Sequence, residues 1–147
     1  MRTLYVGFKG KNNTSFQLVS ALDGERLFLT NSPAGVERDV ETVEPVYDAV
    51  IMFGLDKDLS GCIRIEKRAE LQGNVLSTEL SANQMADSFR YNGINCEISE
   101  RPTHYLCNDA YFRMLQKTEG KAIFIHIPGI RHMTDELMTR ITRSLGE

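Results

Sequence analysis

The chain has 147 residues, 41% of them hydrophobic and 25% charged, and its 20 acidic and 17 basic side chains leave a formal net charge of −3. That length suits a single domain over residues 1–147, and the composition excludes a disordered chain. The slight acidic excess excludes a general polyanion binder, so neither nucleic acid nor an anionic membrane is an expected partner.

The apolar run at residues 4–8 predicts a first strand. It gives way at once to Lys9 and Lys11, too short for a signal-peptide core, and no later stretch approaches membrane-spanning length. Residues 14–22 predict a helix with Phe16, Val19 and Leu22 on one side. Residues 26–30 predict a second strand, ended by Asn31-Ser32-Pro33. Over residues 35–46 the pattern is ambiguous: Val36, Val40 and Val43 recur at helical spacing, and Pro45 closes the stretch. Residues 48–54 are almost unbroken apolar sequence, the pattern of a strand covered on both faces. Ile63, Ile65 and Ala69 alternate with charged residues, which predicts a half-exposed or edge strand.

Residues 81–92 predict a helix. Ser81 and Gln84 form a capping-box pair, Ala82, Met85, Ala86 and Phe89 make one apolar face, and Gly93 supplies the stop. A short strand follows at residues 94–98. A helix over residues 107–117 carries Ala110, Tyr111, Met114 and Leu115 at helical spacing. Residues 122–128 repeat the buried-strand pattern and end at Pro128. Residues 135–145 predict a closing helix with Thr134 as N-cap and Leu137, Met138, Ile141 and Leu145 facing inward. Alternating β-rich runs and amphipathic segments predict a layered α/β domain.

Cys62, Cys96 and Cys107 are an odd count without a CxxC pair, so reduced thiols in the cytoplasm are expected, with no zinc or other metal site. Cys107 opens a predicted helix, where the dipole and unpaired N–H groups favour a thiolate and can hold an oxyanion; free cysteines are also ordinary core residues. His126 interrupts an apolar strand where it runs into a loop, the edge at which open α/β sheets carry functional groups. A core histidine bonded to a carbonyl is the plainer explanation. His104 lies three residues before Cys107, so spacing leaves the choice of base open; His132 reads as a surface residue. Glu66 sits in Arg64-Ile65-Glu66-Lys67-Arg68, by default a solvated charge row, and Asp56 and Asp58 read as solvated loop charges.

The segment Thr103-His104-Tyr105-Leu106-Cys107-Asn108-Asp109-Ala110-Tyr111 resembles the nucleophile motif of the pyroglutamyl peptidase I family of cysteine peptidases. Ala122-Ile-Phe-Ile-His126-Ile-Pro128 is similar to that family's histidine strand, and Phe53-Gly54 followed by Ile65-Glu66-Lys67-Arg68-Ala69 to its glutamate strand. Residues 4–8 resemble the opening strand and Gly-Phe turn, and residues 76–94 the central helix and strand. The resemblance implies a three-layer α/β/α sandwich around a twisted, mixed sheet, phosphorylase/hydrolase-like. It also implies a catalytic set of Cys107, His126 and Glu66 acting on a small peptide or acyl amide without a cofactor, with Phe8, Leu55 and Tyr105 at the substrate.

The sequence departs from the family in three places. Only Phe8 carries over from a pair of phenylalanines that sandwich the pyroglutamyl ring. Leu55 replaces a glutamine. The stretch between Glu66 and Ser81 is much shorter, and of the arginine expected there only Arg64, Arg68 or Arg101 could be the substitute. The altered pocket leaves these readings: a cysteine hydrolase that removes N-terminal pyroglutamate, or a substrate-shifted or non-catalytic member of the fold that acts on another small acyl amide or binds a ligand or protein.

Overall fold

A computed structural model describes residues 1–103 and 105–146. Along these residues run β1 (Thr3–Phe8), α1 (Thr14–Ala21), β2 (Glu25–Leu29), α2 (Pro33–Glu41), β3 (Ala49–Asp56), β4 (Ile63–Glu66), β5 (Arg68–Leu71), β6 (Asn74–Ser77), α3 (Ala82–Tyr91), β7 (Cys96–Ser99), α4 (Tyr105–Lys117), β8 (Ala122–Pro128) and α5 (Asp135–Ser144). Six strands form one sheet in the order β2-β1-β3-β8-β4-β7, and β5 and β6 form a separate hairpin. β4 runs antiparallel to β8, while the other neighbours in the sheet are parallel, so the sheet is mixed.

Alternation along each strand divides the core in two. One face gathers Leu4, Val6, Phe8, Val50, Met52, Ala122 and Phe124 under α2 and α4. The other gathers Tyr5, Ile51, Phe53, Ile63, Ile65, Ile123, Ile125 and Ile127 under α1, α3 and α5. The result is the three-layer α/β/α sandwich implied by the sequence. β3 and β8 lie side by side at its centre, covered on both faces, which is why they read as continuous apolar runs.

Local chemistry sets the boundaries. The side chain of Ser32 accepts from the Gly35 amide at 3.0 Å, and Pro33 takes the first helical position, so α2 starts where the sequence pattern showed only a strand end. Ser81 and Thr134 cap α3 and α5 as expected, accepting from Gln84 and Leu137. Gly93, at φ 79°, ends α3 in the left-handed region.

Two expectations are corrected. The stretch from Ile63 to Ala69 is not one exposed strand: it divides into β4 and β5, and β4 lies inside the sheet between β8 and β7. Of the charged residues that suggested exposure, Arg64 and Glu66 are bonded to each other, and Glu66 is only 1% exposed. Leu71 pairs with Asn74 in the β5–β6 hairpin, and its two-residue turn has Gln72 at φ 52° and Gly73 at φ 81°, the type I′ geometry that matches strand twist.

Candidate active site

His126, Arg64 and Gly54 occupy one lateral row of the sheet. Gly54 of β3 and Arg64 of β4 are the register partners of His126 on either side. In the next row, Phe124 pairs with Met52 and Glu66. Because Ile63 and Ile65 take the opposite face, Arg64 and Glu66 point with His126 toward α4. Nδ1 of His126 lies 2.9 Å from Oε2 of Glu66, with the two residues 4% and 1% exposed. The Phe124 ring packs beside the imidazole at 4.9 Å between centroids.

Cys107 is the third residue of α4 and half-buried. A side chain at Gly54 would collide with it: an added Cβ would meet Sγ of Cys107 at 3.0 Å and the Phe124 ring at 2.6 Å. Gly54 therefore opens the floor on which the thiol rests, one strand across from His126. Neighbouring strands are about 4.8 Å apart, so thiol and imidazole share one compartment. Among the described residues, no hydrogen bond joins the Cys107 thiol to the His126 ring. Burial, with the Glu66 and Asp56 carboxylates adding to it, pushes the Cys107 thiol up to about 12. The resting sulfur carries its proton.

Two side chains of α4 fix this placement. The Asn108 amide donates to the Glu70 carbonyl and accepts from the Glu70 amide at 2.9 Å, locking the start of α4 to the hairpin. One turn further on, the Tyr111 hydroxyl donates to the Glu66 carbonyl at 2.7 Å, tying α4 to β4. The first four amides of a helix have no partner within it, which leaves those at the start of α4, the turn that carries Cys107, without an intrahelical acceptor.

Arg64 completes the polar cluster. Its Nε donates to Oε2 of Glu66 at 2.6 Å, and its Nη2 donates to Asp56 at 3.0 Å and approaches Nδ1 of His126 at 3.4 Å. Asp56 is thus half-buried and ion-paired, not a solvated loop charge as the sequence suggested; Asp58 is exposed. Burial pushes the Asp56 carboxyl up, but the Asp58 amide and the Arg64 guanidinium outweigh this and hold it below its usual range. Oε1 of Glu66 is buried without a partner among the described residues. Arg68 lies near Glu100 and Arg101 is exposed, so of the three arginines considered only Arg64 is bonded to this cluster.

The remaining expected residues divide. Phe8 is 4% exposed and packs on the same face as Cys107. Leu55 falls one residue beyond Gly54 and takes the other face, where it lines a cleft of about 560 Å³ with Asn12, Lys57, Ile130 and Arg131. His132 borders that cleft as well. Tyr105 starts α4 at φ 63°, a left-handed conformation costly for an aromatic residue, and the residue is 85% exposed. His104 lies outside the described residues. Sequence reading missed Thr14 and Ser15, which are wholly buried: the Thr14 hydroxyl donates to the Pro128 carbonyl at 2.7 Å, and that of Ser15 accepts from the Phe8 amide at 3.0 Å. They pin α1 to the sheet end that carries His126. Their signal was only a polar pair at a helix start.

No protein-family model matches the chain, and no curated protein matches it. Solved structures do. Pyrrolidone carboxyl peptidase from Thermococcus litoralis is similar at a TM-score of 0.76 and 21% identity, over 99% of this chain and 91% of that one. The enzyme from Thermus thermophilus gives 0.79 and 18%, over 97% of each chain. Pyroglutamyl peptidase I from Bacillus amyloliquefaciens gives 0.77 and 18%, over 98% and 92%. The resemblance first visible around Cys107 and His126 thus extends to the whole backbone: nearly end to end, this chain has the pyrrolidone carboxyl peptidase fold.

Proposed function

We propose that the chain is a cysteine hydrolase that cleaves an amide bond, with removal of an N-terminal pyroglutamyl group as the leading reaction. One observation carries this reading: a thiol at a helix start rests over Gly54, the register neighbour of a histidine whose other side is held by a buried carboxylate. The fold shared with pyrrolidone carboxyl peptidases supports the substrate class.

In the reaction, Nδ1–H of His126 donates to Glu66, which leaves Nε2 free to accept a proton. Nε2 takes the Cys107 proton as sulfur attacks the substrate carbonyl. The carbon–sulfur bond forms, and the oxygen, now negative, is held by the amides at the start of α4. The imidazolium returns its proton to the leaving nitrogen, the carbon–nitrogen bond breaks and a thioester remains. Water attacks the thioester, giving one proton to Nε2; the carbon–sulfur bond breaks, and that proton restores the thiol. With burial pushing the thiol up to about 12, this reading has the histidine act as base in the attack rather than wait beside a preformed thiolate. Phe8, on the same face, would pack against the acyl group.

The competing reading, a ligand-binding member of the fold without turnover, draws on that same protonated thiol and on its lack of a bond to His126. Hydrolysis of a pyroglutamyl-linked chromogenic amide, run beside Cys107→Ala, separates the two. Turnover that vanishes in the variant establishes the hydrolase. Absence of turnover on this substrate and on other small acyl amides, in wild type and variant alike, favours the binding module.

A further inference from the structure

Asp56 has no part in the steps above, yet its carboxylate reaches the same cluster through Arg64. We propose that Asp56 is a positioning residue: by holding Nη2 of Arg64 it leaves Glu66 as the partner of Nδ1 in His126, and so selects the imidazole tautomer whose Nε2 is free. The catalytic meaning of that tautomer rests on His126 being the base.

Nδ1 of His126 has two polar neighbours, Oε2 of Glu66 at 2.9 Å and Nη2 of Arg64 at 3.4 Å. A carboxylate can only accept and a guanidinium can only donate. With the ring proton on Nδ1, the contact with Glu66 is a hydrogen bond and Nη2 must look elsewhere. With the proton on Nε2, the Nδ1 lone pair faces a carboxylate and only Arg64 can serve it. The two tautomers therefore compete through Arg64.

Asp56 decides the competition. Its Oδ2 accepts from Nη2 at 3.0 Å, shorter than the approach to His126, while its Oδ1 accepts from the Asp58 amide at 3.0 Å. That second bond fixes the carboxylate at the end of β3, where Pro128 is its register partner on β8. Nε of Arg64 is meanwhile anchored on Glu66 at 2.6 Å, so the rigid guanidinium plane can only pivot about that bond, swinging Nη2 between Asp56 and His126. Remove the Asp56 carboxylate, and Nη2 turns to Nδ1. Remove Arg64 as well, and Nδ1 has only Glu66 again. Among the described residues, the charged or titratable groups facing the imidazole are Asp56 from β3, Arg64 and Glu66 from β4, and Cys107 from α4.

The experiment is 15N NMR of the imidazole at mildly alkaline pH, with the His126 signals assigned by their loss in His126→Gln. Four proteins are compared: wild type, Asp56→Ala, the shape-preserving Asp56→Asn, and Asp56→Ala with Arg64→Met. The wild type is expected as Nδ1–H, both single variants shifted toward Nε2–H, and the double variant returned to Nδ1–H. In turnover of the pyroglutamyl amide, Asp56→Ala should lower kcat about a hundredfold, the scale of losing a general base, with KM within about twofold; the double variant should recover part of that loss. Retention of Nδ1–H in both single variants overturns the proposal, as does a double variant no different from Asp56→Ala. A tautomer that moves as expected in a protein with no Cys107-dependent hydrolysis sinks the hydrolase reading alone. Hydrolysis with an immobile tautomer sinks only the role of Asp56.

Discussion

The two faces of β8 are built on different physics. Toward α1, α3 and α5, Ile123, Ile125 and Ile127 are buried among apolar side chains, where shape and area matter and direction does not. Toward α2 and α4 the strand presents Ala122, Phe124 and His126, and the last of these makes two directed polar contacts, with Glu66 and Arg64. A single strand thus carries a scaffold on one side and the proposed site on the other. Changes on the first face should alter stability, whereas changes on the second should alter reactivity out of proportion to stability.

The largest stability effect is expected on the apolar face. Ile125→Ala removes a wholly buried side chain and leaves a cavity, which costs about 2–5 kcal/mol in denaturant unfolding. Hydrolysis per folded molecule should stay near wild type, because Ile125 points away from Cys107. A loss of turnover larger than the loss of folded protein would break the division between faces.

Gly54→Ala comes next and sharpens the division from the other side. The new methyl would sit 2.6 Å from the Phe124 ring and 3.0 Å from the thiol, so one of them must move. Overpacking of this kind costs about 1–3 kcal/mol. Here turnover should fall far more than stability, because the thiol loses its place over β3 beside His126. Full turnover in Gly54→Ala would mean that the thiol does not react from this position.

Tyr111→Phe is smaller again. It deletes the hydroxyl that donates to the Glu66 carbonyl, a buried bond expected to cost about 1 kcal/mol, and loosens α4 against β4. Thermal unfolding measures the first effect, and the kcat of the pyroglutamyl amide the second.

How much of this was legible depends on whether a residue's environment is local. β3 and β8 announced themselves because burial on both faces leaves an apolar run, and against it His126 stood out as the polar interruption. Ser81 and Thr134 were readable because a cap acts within one turn of its helix. Glu66 was misread for the complementary reason: Arg64-Ile-Glu66 alternates like an exposed strand, and only pairing with β8 brings the partners that bury its charge. Arg64 and Asp56 meet across a loop that the sequence cannot fold by inspection. Asn108 was visible as the residue after Cys107, but its bonds to Glu70 need a hairpin whose turn, Gln72-Gly73, lacks the usual asparagine. The resemblance to pyroglutamyl peptidases put Glu66, Cys107 and His126 together as an expectation, but it gave no partner for Asp56 or Asn108. Composition and periodicity alone left a lone cysteine and a lone histidine.

The smallest stability effect at neutral pH belongs to Cys107→Ala, and pH makes it visible. The folded thiol is pushed up to about 12 by burial and by the Glu66 and Asp56 carboxylates. An unfolded cysteine ionises near about 8.5. The folded state therefore favours the protonated thiol, a contribution fully present below about 8.5 and lost as pH rises toward 12. Cys96, pushed up to about 11 by burial, behaves alike but is common to both proteins, as is Tyr111, so the wild-type-minus-variant difference isolates Cys107. Unfolding curves from neutral to strongly alkaline pH should show wild type losing stability more steeply than Cys107→Ala. Alkylation gives the same sign from the folded protein: with a small uncharged reagent the Cys107 rate should climb about tenfold per pH unit, following the thiolate fraction, without levelling near 9. A plateau near neutral pH would instead mean a thiolate already paired with His126, and the polar face of β8 would then be charged before any substrate arrives.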